Sequence, residues 1–323
     1  MMLLRIKETF PPAMLLTFAL FASLPLWIKG VGLYPYLGVE VMIWVIYALG
    51  FNLLLGTSGL PSFGHGAYFG VGAYAFGLSQ LYWGLGLWGS LASAIGAALV
   101  AGALVAAFIS HRRGIYYALL TIAFGQVFWF VSIKWHSVTR GEDGLLNIRR
   151  PAADFGVFSL DIQKLDNLYY FCFGAFVLVI VLLWRLVRSP FGRVLAAIRQ
   201  NETRARFVGY NVWLFKWLAF VISALIAGLA GGLFALAQQS AYPNVMSLHQ
   251  SGFVVMMELI GGGMVSFWGP VVGAVLFFIA RDLLGAYTEA WLLWYGLLFM
   301  VIVLFKPEGI AGWFQNVRSK SPA

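Results

Sequence analysis

The sequence predicts an all-α protein that crosses a lipid bilayer about eight to ten times, with both termini on the cytoplasmic side. Three observations predict it. Of 323 residues, 61% are hydrophobic and only 10% are charged, and the mean hydropathy is +0.86. A soluble core of this size would not bury so much apolar surface, so lipid must cover much of it. Second, the apolar residues fall into about ten runs separated by short polar stretches. Third, the net charge of +9 is spread over those stretches rather than gathered on a soluble domain. That makes it a statement about membrane orientation and not about nucleic acid.

The runs cover roughly 13–29, 38–56, 64–82, 87–110, 114–134, 168–187, 214–238, 252–265, 268–284 and 288–305. The first follows Arg5 and Lys7 and superficially resembles a secretory signal. No small-residue cleavage site follows it, so a retained first span is expected. The first, fourth, sixth, seventh and last are near the ~20 residues that a crossing needs. The stretches around 64–82 and 252–284 are rich in glycine, open to broken, re-entrant or short spans, which sets the range of eight to ten. Cys172, the one cysteine, lies within the sixth run. It excludes a disulfide framework and reads as a packing residue.

Basic residues set the orientation. With ten spans and an inner N-terminus, the inner side receives 14 of them: Arg5, Lys7, Arg112, Arg113, seven between Arg185 and Lys216, and Lys306, Arg318 and Lys320. The outer side receives six: Lys29, Lys134, Arg140, Arg149, Arg150 and Lys164. Short-loop basic bias places the larger set in the cytoplasm. The long loop 135–167 is then extracytoplasmic. Phe155, Val157, Phe158 and Leu160 give it apolar material for a small ordered cap.

Between the sixth and seventh runs lies SPFGRVLAAIRQNETRARFVG, residues 189–209, read as a basic amphipathic helix on the cytoplasmic side. Ser189 suits an N-cap, Pro190 the first helical position, and Gly209 a left-handed end. Phe191, Val194, Leu195, Ile198, Ala205 and Val208 recur at roughly helical spacing among Arg193, Arg199, Arg204 and Arg206. A short polar helix so well punctuated, between two membrane spans, reads as a surface for another protein to grip.

Few residues carry chemistry. The chain has no Gly-Lys dipeptide and therefore no GxxxxGK[ST] phosphate cradle. Energy for any active transport must come from a partner or from an ion gradient. Two glycine-dense stretches suggest a path, GTSGLPSFGHGAYFGVGAYAFG at 56–77 and GGGMVSFWGPVVGA at 261–274. Interrupted hydrophobic segments in both halves of a chain point to a translocation centre, with helix packing as the plainer explanation of any single glycine. The path residues expected from them are Ser62, Phe63, Gly64, His65, Gly66, Tyr68, Gly72, Gly261, Gly262 and Gly263, with Glu258 just before the second stretch. An intramembrane acid is a functional signal by default, and a hydrogen bond to a neighbouring helix is the alternative for Glu258. His65 reads as a hydrogen-bonding residue, Glu40 as interfacial. Arg281 and Asp282, being adjacent, are not expected to face each other on a helix. The four histidines show no metal-ligand spacing, HExxH is absent, and no nucleophilic triad is suggested, so no metal and no enzymatic activity are expected.

Several stretches together resemble a known family: GFNLLLGTSGLPSFGHGAYFGVGAYA at 50–75, RRGIYYALLTIAFGQ at 112–126, TRGEDGL at 139–145, residues 189–235, and the second glycine stretch. The chain resembles the LivM-type permease subunits of branched-chain amino acid ABC importers over most of its length. The resemblance implies a single permease domain in a bacterial or archaeal inner membrane, carrying branched-chain or related amino acids. It implies a second, LivH-type permease, two cytoplasmic ATPases that bind ATP and Mg, a binding protein outside, and no cofactor in this chain. It also makes 189–209 the coupling segment that docks on the ATPases, with that role on Phe191, Gly192, Arg193, Ala197, Ile198, Arg199, Asn201, Glu202, Ala205 and Gly209. Arg140, Glu142 and Glu258 depart from the family pattern and bear on cargo. Urea or a short-chain amide is the alternative cargo. An ion-gradient-driven carrier or channel is the alternative of another class, and an integral membrane enzyme is the third.

Overall fold

A computed structural model describes residues 11–156, 159–262, 264, 266–305 and 309–311. It is a helical bundle with helices at all ten expected runs. Helix α1 spans Pro12–Trp27, α2 Pro35–Asn52, α3 Gly66–Trp83, α4 Leu87–Ile109, α5 Gly114–Lys134 and α6 Leu165–Arg188. Two short helices follow, α7 Pro190–Gln200 and α8 Glu202–Phe207. The bundle resumes with α9 Val212–Gln238, α10 Leu248–Gly261, α11 Gly269–Tyr287 and α12 Trp291–Phe305. Among the described residues, seven segments are long and apolar enough to cross a membrane: those built on α2, α4, α5, α6, α9, α11 and α12. Helix α1 is apolar but shorter, and α3 and α10 fall outside that set.

Burial separates a core from a rim. Almost every side of α2 is covered, as is most of α9. Helices α4, α5, α6 and α12 bury a third or less of theirs. A helix apolar all round and covered all round belongs at the centre of a membrane bundle, and an apolar outer face belongs against lipid. Helix α9 packs on α2, α3 and α4, α6 lies along α2, and α10 pairs with α11.

Helix α2 does not stop at Asn52. It widens into a π-helical turn over Leu53–Thr57, where the Leu60 N–H reaches back to the Leu54 carbonyl. Such turns loosen a helix without ending it abruptly. On the other side, α10 ends at Gly262, whose φ of +84° is the left-handed stop a glycine makes easily. This places the end of the eighth run at Gly261 instead of residue 265.

The described residues of the loop between Trp135 and Lys164 are tied together and to the bundle. Its strands β1 (Ala153–Asp154) and β2 (Ser159–Leu160) pair antiparallel, and Leu145 bridges to Ala241. Arg150 donates to the carbonyls of Leu236 at 3.1 Å and Ala237 at 2.5 Å, supplying partners to the last turn of α9. Trp88 Nε1 donates to the Asp154 carbonyl at 2.6 Å. The small cap expected from the sequence is thus present, although Val157 and Phe158 lie outside the described residues.

Candidate functional site

The segment 189–209 is two helices and not one. Ser189 caps α7, its Oγ accepting from the Gly192 N–H at 3.5 Å while donating to the Leu186 carbonyl at 2.6 Å. At Asn201 the backbone turns extended (φ −159°, ψ 100°), and its side chain accepts from the Arg204 N–H at 2.9 Å, starting α8. Asparagine makes such a cap readily, and this breaks the continuous helix expected. Gly209, at φ +100°, closes the unit as expected.

The family-implied residues sort by direction. Gly192, Ile198 and Ala205 are buried. At Gly192 an added Cβ would overlap the Val187 carbonyl, so only glycine permits the tight corner between α6 and α7. Phe191 stacks on Phe215 with ring centroids 5.6 Å apart. Arg193, Ala197 and Asn201 face outward, and Val208, expected on the apolar face, is exposed. Beside it Phe207 is 87% exposed.

Glu202 binds the segment to the bundle. Its carboxylate meets Arg113 at 2.9 Å, Arg206 at 3.4 Å and the buried Lys216 at 3.7 Å. Arg113 opens α5 and Lys216 lies on α9, so one acid joins three elements. Arg199 reaches further. Its guanidinium donates to the Gly56 carbonyl at the π-helical turn and to the Met264 carbonyl at 2.9 Å, just past α10. One side chain of α7 therefore holds both interrupted stretches.

The glycine-dense residues are closely packed in this conformation. A Cβ at Gly64 would overlap the Thr121 carbonyl, one at Gly72 the backbone of Gly228, and one at Gly261 the Gly269 carbonyl. The Phe63 N–H donates to Thr121 Oγ1 at 3.1 Å and the Gly66 N–H to Ser251 Oγ at 2.9 Å. Ser62 is buried, and Tyr68 packs edge-on to Phe220, 5.2 Å between centroids. His65 is buried with Nε2 3.0 Å from Ser223 Oγ, which itself donates to the Gly50 carbonyl. The serine has one proton to give, so His65 Nε2 is the donor in that pair. Gly262 ends α10, and Gly263 lies outside the described residues. The cavities open beside these residues and are lined by others.

Two such cavities flank α2. The one near α7, about 490 Å³, is lined by residues including Asn52, Gly56, Arg199, Met264 and Phe267. The one at the opposite end of α2, about 240 Å³, is lined by Glu40, Trp44, Tyr47, Gln250, Phe277 and Arg281 among others. Tyr47 and Asn52 are five residues apart, which is roughly 7.5 Å along a helix. Asn52 lines the first cavity and Tyr47 the second. The Asn52 side-chain amide donates to the buried Glu258, and Tyr47 stacks on His65 at 5.8 Å. Glu258 thus makes a hydrogen bond to a neighbouring helix, and that bond bridges α10 to α2.

Sequence reasoning missed Asn52, Tyr47 and the Glu40–Arg281 ion pair, whose two contacts are 2.8 and 2.9 Å. It also missed that Arg281 folds back onto Asp282, Nε to Oδ1 at 3.0 Å, despite their adjacency. The available signal was a lone asparagine in an otherwise apolar run, the same pattern that marked Glu258. Among the described residues no cluster of histidine, cysteine and carboxylate groups is placed to hold a metal.

Comparison with known proteins follows the same lines. The model of the branched-chain amino acid transport system permease component matches residues 35–306. The high-affinity branched-chain amino acid transport system permease protein LivM of Escherichia coli is 32% identical over 289 residues, 83% of this chain and 68% of that protein. A probable LivM permease of Methanocaldococcus jannaschii is 26% identical over 83% of this chain and 90% of its own. A probable LivH permease of the same archaeon is 24% identical over 83% of this chain and 88% of its own. No solved structure matches the chain.

Proposed function

The chain belongs to the family of branched-chain amino acid transport permeases, and on that footing we propose that it is one transmembrane half of an ATP-driven importer for branched-chain or related amino acids. A LivH-type permease forms the other half, two cytoplasmic ATPases bind ATP and Mg, and a binding protein delivers cargo at the outer face. The chain hydrolyses nothing itself, and sits in a bacterial or archaeal inner membrane with α7, α8 and both termini inside.

The observation that supports this most is the double reach of Arg199. ATPase closure would move α7 and α8 as a rigid unit. Arg199 would carry that motion to the Gly56 turn and to Met264, on the wall of the inner cavity. The Asn52–Glu258 bond stands at the head of the same cavity and would part as the barrier opens. Gly64, Gly66, Gly72, Gly261 and Gly262 are the close contacts about which helices slide, so the path runs beside them.

The test is reconstitution with the permease, ATPases and binding protein encoded beside it. Uptake of leucine, isoleucine or valine should require ATP and the binding protein. Uptake by this chain alone, driven by an ion gradient, would overturn the reading.

A further inference from the structure

The cavity at the far end of α2 from α7 is built around an ion pair. Arg281 sets two nitrogens against the two oxygens of Glu40, at 2.8 and 2.9 Å, and its Nε against Asp282 at 3.0 Å. The Tyr34 hydroxyl is 3.4 Å away and the guanidinium lies 4.5 Å from the centre of the Phe278 ring. The Arg281 and Glu40 side chains are 25% and 13% exposed. Packing does not demand this pair, since α2 and α11 already meet through Trp44 and Phe278, ring centroids 6.0 Å apart. Three wall residues also hold a buried polar atom with no hydrogen-bond partner among the described residues: Trp44 Nε1, the Tyr47 hydroxyl and Gln250 Oε1. Asp282 Oδ2 is likewise unpartnered. At about 240 Å³ the cavity falls just below the ~300–1,000 Å³ of drug-sized sites, which fits a small metabolite.

We propose that this cavity binds a zwitterionic α-amino acid with an apolar side chain, its carboxylate on Arg281 and its ammonium on Glu40. The proposal deepens the amino-acid permease reading and rests on it. Binding exchanges one Arg–Glu contact for two of the same kind, so neither buried charge is left bare. A ligand with only one charge, or none, separates the pair without replacing it, and the site rejects that ligand by desolvation. Phe253, Phe277 and Trp291 receive the side chain. The second carboxylate, Asp282, gives the site an excess of negative charge that draws the ammonium inward.

The test uses the full chain assembled with the subunits encoded beside it, in nanodiscs, with radiolabelled leucine and no binding protein. Leucine should bind. Leucinol and 4-methylpentanoate, each lacking one charge, should compete at least ~30-fold more weakly, the scale expected when one partner of a buried charge pair is removed. Glu40→Gln combined with Arg281→Gln should weaken leucine binding as much. Phe277→Trp, which fills the cavity and leaves the ion pair in place, should weaken leucine more than alanine. Equal competition by the three ligands, or unchanged leucine binding in these variants, overturns the site. If the double variant does not assemble, the ligand series and Phe277→Trp still decide. ATP-driven uptake by the unaltered assembly is measured alongside. Uptake without leucine binding in the nanodiscs removes the site and leaves the permease reading standing, whereas no uptake of any amino acid removes both.

Discussion

Arg199 donates its guanidinium to the carbonyl of Gly56 across 143 residues of chain. The acceptor lies in the π-helical turn below α2, where the regular i to i−4 ladder has already been given up. An arginine that bonds a loosened turn can displace it without first breaking a helix. Arg199→Ala should therefore leave ATPase activity in the assembled transporter and lower amino-acid uptake per ATP by roughly 10- to 100-fold, from the ~1.5–3 kcal/mol of hydrogen bonds to a charged group. Parallel measurement of phosphate release and uptake checks it, and unaltered uptake would rule it out.

Glu202 answers three cations, one of them the buried Lys216. Replacement by lysine places a fourth cation among them. Glu202→Lys should lower the thermal unfolding midpoint in detergent, and raising the salt concentration should recover part of the loss, because the exposed Arg113 and Arg206 are screened. It should also uncouple ATPase activity from uptake. A midpoint equal to that of the parent chain would contradict this account.

Asn52 and Glu258 give unequal losses when altered. Asn52→Leu strips a buried carboxyl of its donor and should destabilise the chain by ~1–3 kcal/mol. Glu258→Gln keeps the shape and the acceptor oxygen and should cost less than half as much. Chemical denaturation in detergent separates the two, and equal losses would show that the bond is incidental.

Glycines that touch backbone differ from those that face open space. Gly72→Ala drives a methyl into Gly228 and should cost ~1–3 kcal/mol through overpacking. At Gly96, in the interior of α4, an added Cβ meets nothing within 4 Å. There alanine should be neutral or stabilise by up to ~1 kcal/mol through helix propensity. The unfolding midpoint should fall in the Gly72 variant and should not fall in the Gly96 variant.

Phe207 is 87% and Val208 70% exposed at the end of α8. Phe207→Asp should change stability by no more than ~0.5 kcal/mol, as exposed substitutions do. It should nevertheless prevent the ATPase subunits from co-purifying with this chain. Intact co-purification would show that Phe207 takes no part in a docking surface.

The bundle was legible because apolar runs of spanning length have few other outcomes, and all ten runs became helices. Boundaries yielded where a local rule operates, as at Ser189, Pro190 and Gly209. Asn201 was harder, since an asparagine is tolerated inside a helix and favoured at a cap, and nothing local says which. The cavities were least legible. Arg199 acts on backbone carbonyls, which carry no residue signature, and Glu40 meets Arg281 across 241 positions. The glycine-dense stretches are closely packed, and Gly56 apart, the residues named on the walls of the two cavities are not their glycines.

The grip of Arg150 on the last turn of α9 has a mechanical side. Helix α9 is clasped at Leu236 and Ala237 by the loop and at Lys216 by Glu202. Twenty residues of helix, roughly 30 Å of rod, lie between the two clasps. A rod held at both ends transmits a push without storing it. The loop at one end of the bundle and α8 at the other are thus joined through one helix, so a displacement of either is felt at the other.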